Sequence, residues 1–345
     1  MMKLKNISWE IWLLIIIVLE IVLFGLFNSR MFNLNVLLYG TNDFIYIAFL
    51  AVPLTMIIVS GGIDLSFGSV VGLCAISLGV LYKSDMPFYL AVIVTFIIGA
   101  SCGLINALLI ILTGVNPLVI TLGTMYLYSG AALLISGTAG ATGYEGISDF
   151  PAYVDSIANG AALGIPLPII YFIGFVFIFY IVLHRLNFGR SIFFIGQNLR
   201  ASRYSTINVN RITLISYMLM GISSAAVALM LVSYFGSARS DLGSSFLMPV
   251  ITAAVLGGAN IYGGSGSILG SALAAFLIGY LQQGLQMVGV STEMSNAVSG
   301  GLLICVLIVK SVSHYSDTIM HYLKKSFRHV NREIKGSNEH VYKEQ

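Results

Sequence analysis

The chain has 345 residues, of which 57% are hydrophobic and only 9% are charged, and its mean hydropathy is +0.92. Soluble globular domains carry about 25% charged residues, so a soluble fold of this size could not cover its surface. The formal net charge of +3 is too small to indicate nucleic-acid binding. The composition therefore predicts an all-α polytopic membrane protein.

Apolar segments long enough to span a membrane, which takes about 20 residues or slightly fewer, recur along the chain. The first follows Lys3 and Lys5 and contains Glu20, and no small-residue cleavage site follows it, so we interpret it as an uncleaved span and not a signal peptide. The second, eighth and tenth are short enough to be tilted or broken. The ten predicted spans cover 11–27, 44–60, 65–82, 88–113, 117–136, 165–183, 212–235, 247–262, 267–288 and 297–312.

The distribution of lysine and arginine predicts the orientation, because basic residues accumulate in cytoplasmic loops. If both termini are cytoplasmic and ten segments cross, the cytoplasmic side receives most basic residues, including five arginines in 184–211. The outside receives only Arg30, Lys83 and Arg239. We therefore predict a transmembrane domain over 1–312 that contains the cytoplasmic loop 184–211, followed by a basic cytoplasmic tail over 313–345.

The loop 184–211 contains no acidic residue to balance its arginines. Its Gly-Gln-Asn stretch at 196–198 suggests a turn, and 200–203 suggests a short helix after it. The loop is either a simple topology signal or a docking element for a soluble partner. The tail is interpreted either as a solvated segment or as a short amphipathic helix on anionic lipid.

One stretch of the chain has an internal echo, since 59–69 resembles 255–265 with every matched pair offset by 196 residues. Gly61-Gly62 corresponds to Gly257-Gly258, and Asp64 corresponds to Asn260. Paired glycine-interrupted segments in transporters point to the substrate path. A chance match is the alternative, because the chain has 36 glycines.

Glycines spaced four residues apart predict close helix packing, because small residues let helix backbones approach in lipid. Gln282 and Gln286 lie one turn apart on the ninth span, and their amides should face protein or a watery path. The three glycine pairs are Gly68 and Gly72, Gly99 and Gly103, and Gly266 and Gly270.

No stretch fits the P-loop pattern G-x-x-x-x-G-K-[ST], so any use of ATP would require a partner. An ion-coupled secondary carrier needs ionisable groups inside the membrane, and the candidates are Glu20 and Asp64. Glu20 either packs within the bundle or places a polar group on an interface. Asp64 either caps the following helix or lines a path. A carrier and a non-transport scaffold both remain alternatives.

Four stretches, 60–69, 116–124, 188–198 and 255–264, together resemble the membrane permeases of bacterial ABC sugar importers of the ribose/xylose/galactoside type. The resemblance implies a type II importer fold and a location in the bacterial inner membrane. It also implies two permease subunits around a pathway, two ABC ATPase subunits below, and a periplasmic substrate-binding protein above. The second permease is expected to be similar but not identical, giving a heterodimer.

The resemblance implies a transport subunit with no catalytic residue or metal site of its own, since ATP and magnesium would be bound by the ATPase. It assigns 184–211 as the loop that couples to the ATPase, through Gly189, Arg190, Gly196, Gln197, Asn198, Arg200 and Arg203. Residues predicted to form the pathway or its hinges are Gly61, Gly62, Asp64, Gly257, Gly258, Asn260, Gln282 and Gln286.

The predicted orientation can be tested by labelling cysteines introduced at Glu145 and Asn198 after the three native cysteines are replaced by alanine. A membrane-impermeant maleimide should label position 145 in intact spheroplasts, because the loop 137–164 is predicted to be periplasmic. Position 198 should react only after the membrane is opened. Labelling of position 198 in intact spheroplasts would contradict the predicted orientation.

Overall fold

The computed structural model describes residues 8–138, 140, 145–291, 293–306 and 308. The chain divides into a compact unit, Met1–Gly300, and a second unit, Gly301–Gln345, which is described only at 301–306 and 308. The predicted tail over 313–345 lies outside the described residues, so its separation from a domain over 1–312 stays a prediction.

The described chain is built from helices joined mostly by short turns. Asn33, Asn198 and Asn208 each precede a helix and accept a hydrogen bond from a backbone amide in its first turn, which satisfies a donor that the helix itself cannot pair. A two-stranded antiparallel hairpin, β1 (Ala161–Ala162) and β2 (Ile165–Pro166), leads into α8. The helices are α1 (Trp9–Phe27), α2 (Leu34–Gly40), α3 (Ile45–Val59), α4 (Phe67–Lys83), α5 (Phe88–Thr113), α6 (Pro117–Thr138), α7 (Ala152–Asn159), α8 (Leu167–His184), α9 (Asn187–Gln197), α10 (Leu199–Tyr204), α11 (Val209–Phe235), α12 (Leu247–Leu256), α13 (Ile268–Met287) and α14 (Glu293–Val306).

Among the described residues, six helices are long and apolar enough to cross a membrane alone: α1, α5, α6, α8, α11 and α13. The second predicted span is α3, which forms a pair with the preceding segment Leu34–Asp43, bent by 59°. The third, eighth and tenth correspond to the shorter apolar helices α4, α12 and α14. A helical protein with several membrane spans is therefore confirmed, whereas the ten crossings and the orientation stay predictions.

The eighth predicted span is shorter than its hydropathy suggested. It was expected over 247–262, but α12 ends at Leu256 and the chain turns at the next two residues. Gly258 adopts φ +113, a conformation that glycine enters without the steric cost of a Cβ atom. The apolar residues that follow belong to an irregular segment and not to the helix.

The centre of the described fold is α3, because all of its residues are buried. The helices α8, α11, α12 and α13 pack around it. A helix that is apolar on every side is stable only when it is enclosed by protein or lipid, and here protein encloses it. The glycine pair Gly61-Gly62 follows the end of α3, and of the two only Gly62 is buried.

Two of the predicted glycine pairs allow close backbone approach, although their partners differ. On α5, a Cβ on Gly103 would lie 2.1 Å from the carbonyl oxygen of Tyr217 on α11. On α4, a Cβ on Gly72 would lie 2.0 Å from the carbonyl oxygen of Ser240, in the segment that follows α11. The glycine pair on α4 thus packs against an irregular segment, whereas the glycine pair on α5 packs against a helix.

The α5–α11 crossing generates a stability prediction for Gly103→Ala. The added methyl group should force the two backbones apart and cost about 1–3 kcal/mol, which lowers the melting temperature of the purified chain in detergent. Gly130→Ala on α6 is the matched control, because its Cβ would have no atom within 4 Å. Equal melting temperatures for the two variants would show that close approach at Gly103 does not stabilise the fold.

Candidate functional site

The basic loop folds into two helices, α9 and α10, and α9 was not predicted. This helix is amphipathic, since Gly189, Ile192 and Ile195 are buried and Arg190 is exposed. A Cβ on Gly189 would lie 1.9 Å from the carbonyl oxygen of Leu183, so α9 begins in direct contact with the end of α8. The loop is therefore packed against the helices that it connects.

The short helix predicted at 200–203 is confirmed as α10. The turn before it is reduced to Asn198, because Gly196 and Gln197 are the last residues of α9. The side-chain oxygen of Asn198 accepts a 2.9 Å hydrogen bond from the amide of Ala201 and so caps α10. Asn198 therefore ends α9 and begins α10, so the two helices follow each other without a longer turn.

Five polar residues that the sequence singled out in this loop are exposed, and we call them the basic loop surface. Three of them line an open groove of about 630 Å³ beside α9 and α10. The members of the basic loop surface are Arg190, Gln197 and Asn198, which line the groove, and Arg200 and Arg203, which lie on α10.

Two exposed aromatic residues of this loop were missed by the sequence reasoning. Phe194 lines the same groove with 56% of its surface exposed, and Tyr204 is 94% exposed at the end of α10. Aromatic side chains beside arginines are typical of the centre of protein interfaces. The helical spacing of Gly189, Ile192 and Ile195 is the signal that could have placed Phe194 on the opposite, exposed face.

Gly196 and Gly189 are not exposed with the basic loop surface, because they face the interior. Three stretches of backbone meet at Gly196, where a Cβ would lie 1.8 Å from the carbonyl oxygen of Val59 and 2.3 Å from the amide nitrogen of Gly264. The Gly264 amide donates a 2.8 Å hydrogen bond to that same carbonyl. A Cβ on Gly263 would lie 2.8 Å from the Gly196 carbonyl oxygen.

We call these four residues, Val59, Gly196, Gly263 and Gly264, the glycine junction. It joins the end of α9 to the end of α3 and to the irregular segment between α12 and α13. Both halves of the internal echo therefore meet at the end of the same loop helix. At Gly196 and Gly263, only a residue without a Cβ atom permits this approach.

The first break in the helices, residues 60–66, begins directly after α3. Gly61 adopts φ +85, with open space around it. Gly62 lies against α11, where a Cβ would be 3.0 Å from the hydroxyl oxygen of Tyr217. That hydroxyl donates a 3.3 Å hydrogen bond to the carbonyl of Ile63, so α11 supports the break from one side.

Asp64 is only 2% exposed and organises the rest of the first break. Its Oδ1 accepts 2.7 Å hydrogen bonds from both the amide and the hydroxyl of Ser66. The Ser66 oxygen in turn accepts from the Asn106 amide at 2.8 Å, and Asn106 Oδ1 accepts from the Tyr128 hydroxyl at 3.1 Å. The interpretation of Asp64 as the helix cap is wrong, because Ser66 directly precedes α4.

The second break, residues 257–267, follows α12. A Cβ on Gly257 would lie 2.3 Å from the Cα of Ser271 on α13, so Gly257 serves close packing. Gly258 supplies the positive φ. Asn260 Oδ1 accepts a 3.2 Å bond from the amide of Tyr262, which is the same turn that Asp64 forms with the residue two positions on.

The echo therefore extends to hydrogen bonding, but the two breaks are not identical. Gly61 is the one residue with positive φ in the first break, whereas Gly258, Gly263 and Gly264 have positive φ in the second, and none of these three corresponds to Gly61 at the offset of 196. The second break is also longer, because α13 begins only at Ile268. The resemblance lies in the side-chain turn and the glycine pair.

Gln282 and Gln286 lie far along α13 from the second break, about 21 Å and about 27 Å from the start of that helix at 1.5 Å per residue. Gln282 donates a 3.2 Å hydrogen bond to Ser299, and Gln286 is exposed. Gln283, which the sequence reasoning did not use, packs on Gly40, where a Cβ would lie 1.9 Å from its amide nitrogen. The predicted pathway residues therefore do not form one cluster.

The arrangement connects an exposed basic surface to two internal helix breaks through backbone contacts. Within the part of the chain that the structure describes, no three His, Cys, Asp or Glu side chains are grouped so that they could hold a metal ion. The backbone contacts of the glycine junction run from the end of α9 to the end of α3 and to the segment between α12 and α13.

Residues 36–307 match the protein family described as branched-chain amino acid transport system, permease component. The match covers most of the chain and includes the basic loop surface, the glycine junction and both breaks. No solved structure matches the chain significantly.

The chain is also similar to permeases named for autoinducer 2 import. Within the sugar-permease type, the sequence of 140–146, 233–241 and 279–286 indicates the same likeness. The chain is 59% identical to the autoinducer 2 import system permease protein LsrD of Salmonella typhimurium, over 93% of this chain and 97% of that protein. It is 57% identical to the protein of that name in Yersinia enterocolitica, with the same coverage. The expected resemblance is confirmed, and the chain belongs to the permease family of ABC importers.

Proposed function

We propose that this chain is a permease subunit of a binding-protein-dependent ABC importer that moves autoinducer 2 into the cytoplasm. Relatives at 57–59% identity carry that name and are matched over nearly their full length. The observation in the structure that best supports a transport subunit is the glycine junction, which joins an exposed basic surface to two internal helix breaks. The chain would lie in the bacterial inner membrane as a multi-pass protein.

The partners follow from the family and from the charge of the loop. An ATPase pair that binds ATP and magnesium would dock on the basic loop surface, with Phe194 and Tyr204 as apolar anchors. A second, similar permease would complete the pathway, and a periplasmic binding protein would deliver the solute to the other side. This arrangement places both termini and α9–α10 in the cytoplasm and uses all ten apolar segments as spans.

The mechanism is alternating access, in which the chain forms no bond with the solute. Closure of the ATPase pair on ATP would displace α9 and α10 together, because Asn198 caps α10 directly against the end of α9. Gly196 would transmit that displacement to Val59 and Gly264 through backbone contact. The two breaks would then change the side from which the pathway is open.

The secondary-carrier alternative depended on Glu20 and Asp64 as groups for ion coupling. Asp64 is engaged by Ser66 in a chain of hydrogen bonds that continues to α5 and α6, which supports a structural role. Membership in the ABC importer family supports coupling to ATP. No contact in the described residues favours a scaffold without transport.

The docking role of the loop is tested by Arg200→Glu, with Arg30→Glu as the matched charge reversal on the predicted outer side. Reversing Arg200 should place like charges across the proposed interface and lower both recovery of the ATPase with the permease and solute-stimulated ATP hydrolysis by about tenfold. The Arg30 variant should retain both. Unchanged assembly and hydrolysis with the Arg200 variant would mean that this arginine serves only as a topology signal.

The role of the breaks is tested by Gly258→Val and Gly62→Val. Valine at Gly258 would oppose φ +113, and at Gly62 it would meet the Tyr217 hydroxyl, so uptake should be abolished while membrane insertion and complex assembly persist. Gly114→Val is the control, because Gly114 has φ +65 and open space around its Cβ position, and it belongs to neither break.

Membrane abundance, recovery of the complex and uptake of autoinducer 2 should be measured on the same preparations. Normal uptake by either break variant would exclude that glycine from the switch. Loss of the protein itself would assign the glycine to packing, and loss of uptake by Gly114→Val would show that backbone strain alone accounts for the defect.

A further inference from the structure

Side chains of α1 and α8 fasten the second break at both of its ends. At its start, the Trp9 indole Nε1 donates a 2.7 Å hydrogen bond to the carbonyl oxygen of Leu256, the last residue of α12. Carbonyl groups at the end of a helix have no partner within that helix, so this bond satisfies a group that the break exposes. The nearest atom to a Cβ built on Gly258 is also Trp9 Cδ1, at 3.9 Å.

The other end of the second break is fastened by Glu10, the neighbour of Trp9. The Ser267 hydroxyl donates a 2.8 Å hydrogen bond to Glu10 Oε1 and accepts one of 3.1 Å from the amide of Gly270. Ser267 is the N-cap of α13, so Glu10 orients the residue that caps this helix. We call Trp9 and Glu10 the α1 clamp.

A third contact comes from α8. His184 Nε2 accepts a 3.4 Å hydrogen bond from the amide of Ile268, the first residue of α13. His184 is also the last residue of α8, three positions before α9 begins. The start of α13 is therefore hydrogen-bonded to side chains of both α1 and α8.

The first break is supported in a different way. Its hydrogen bonds come from Asn106 on α5, Thr121 on α6 and Tyr217 on α11. The α1 clamp, in contrast, bonds the two ends of the second break. The two halves of the echo thus have similar turns but different anchors.

This difference matters because the glycine junction contacts the middle of the second break, at Gly263 and Gly264. A flexible segment pushed at its middle bends locally unless its ends are held. The α1 clamp holds the end of α12 and the start of α13 to one rigid helix, whose far end also contacts α13 through the 3.1 Å bond from Asn28 to the carbonyl of Met287. A displacement at the glycine junction must then move α12 and α13 together.

We propose that Trp9 and Glu10 are positioning residues for transport, because they couple displacement of α9 to movement of α12 and α13. The inference rests on the proposed function as an ATP-driven permease. It adds that the α1 clamp transmits the movement caused by the ATPase to α12 and α13. Without the α1 clamp, the displacement of α9 would deform the irregular segment 257–267 and would not move α12 and α13. ATP would then be hydrolysed with less solute imported.

The test compares variants in the full complex, reconstituted with its ATPase, second permease and binding protein. Trp9→Phe keeps an aromatic ring but removes the indole N–H donor. Trp12→Phe on the same helix is its matched control, because Trp12 is the only other tryptophan in the chain. Glu10→Ala removes the acceptor, whereas Glu10→Gln retains an oxygen that Ser267 can use. The quantity measured is labelled autoinducer 2 imported per ATP hydrolysed.

Loss of one hydrogen bond of this kind should lower that ratio about three- to tenfold in Trp9→Phe and Glu10→Ala, with ATP hydrolysis maintained. Trp12→Phe and Glu10→Gln should keep the ratio of the unmodified complex. An unchanged ratio in both clamp variants would overturn the inference.

A parallel fall of uptake, hydrolysis and complex recovery would also overturn it, because that pattern belongs to a purely structural contact. The unmodified complex separates this inference from the proposed function. If that complex imports autoinducer 2 with ATP while the clamp variants keep its ratio, only the inference fails. If it shows no ATP-dependent import, the proposed function itself fails.

Discussion

Three stretches of backbone meet at the end of α9 with no side chain between them, and the link between surface and interior depends on this approach. The carbonyl oxygen of Val59 accepts a hydrogen bond from the amide of Gly264, and Gly196 lies against both groups. A side chain at this point could rotate and absorb a small displacement, whereas two peptide planes in contact cannot. The absence of a Cβ at Gly196 is therefore what makes the loop helix mechanically continuous with α3 and with the second break.

Interrupting helices within a membrane protein leaves backbone groups that must find partners inside the protein. The first break meets this demand with a chain of polar side chains that starts at Asp64 and continues through Ser66 to Asn106 on α5 and Tyr128 on α6. The second break uses Trp9, Glu10 and His184 from α1 and α8. Similar sequence in the two breaks thus gives similar turns, while the surrounding helices determine how firmly each is held.

Much of the helical layout could be predicted from hydropathy, and α5 spans the predicted 88–113 without a shift. The errors have identifiable causes. The apolar residues after Gly258 hid the end of α12, because hydropathy does not report a positive φ. α9 was missed because the arginines of the loop 184–211 were counted as a topology signal, although the buried face of α9 has helical spacing. The contacts of Trp9 and Glu10 join residues about 250 positions apart, which no local pattern can reveal.

The complete enclosure of α3 has a consequence for the biogenesis of the protein. Its neighbours α8, α11, α12 and α13 all follow it in the chain, so more than 200 residues are synthesised between the end of α3 and the end of α13. Until α13 has been synthesised, α3 must remain in lipid or within the insertion machinery without all of its final neighbours. Assembly of the core thus waits for the last quarter of the chain, and premature termination before α13 would leave the central helix without its native surroundings.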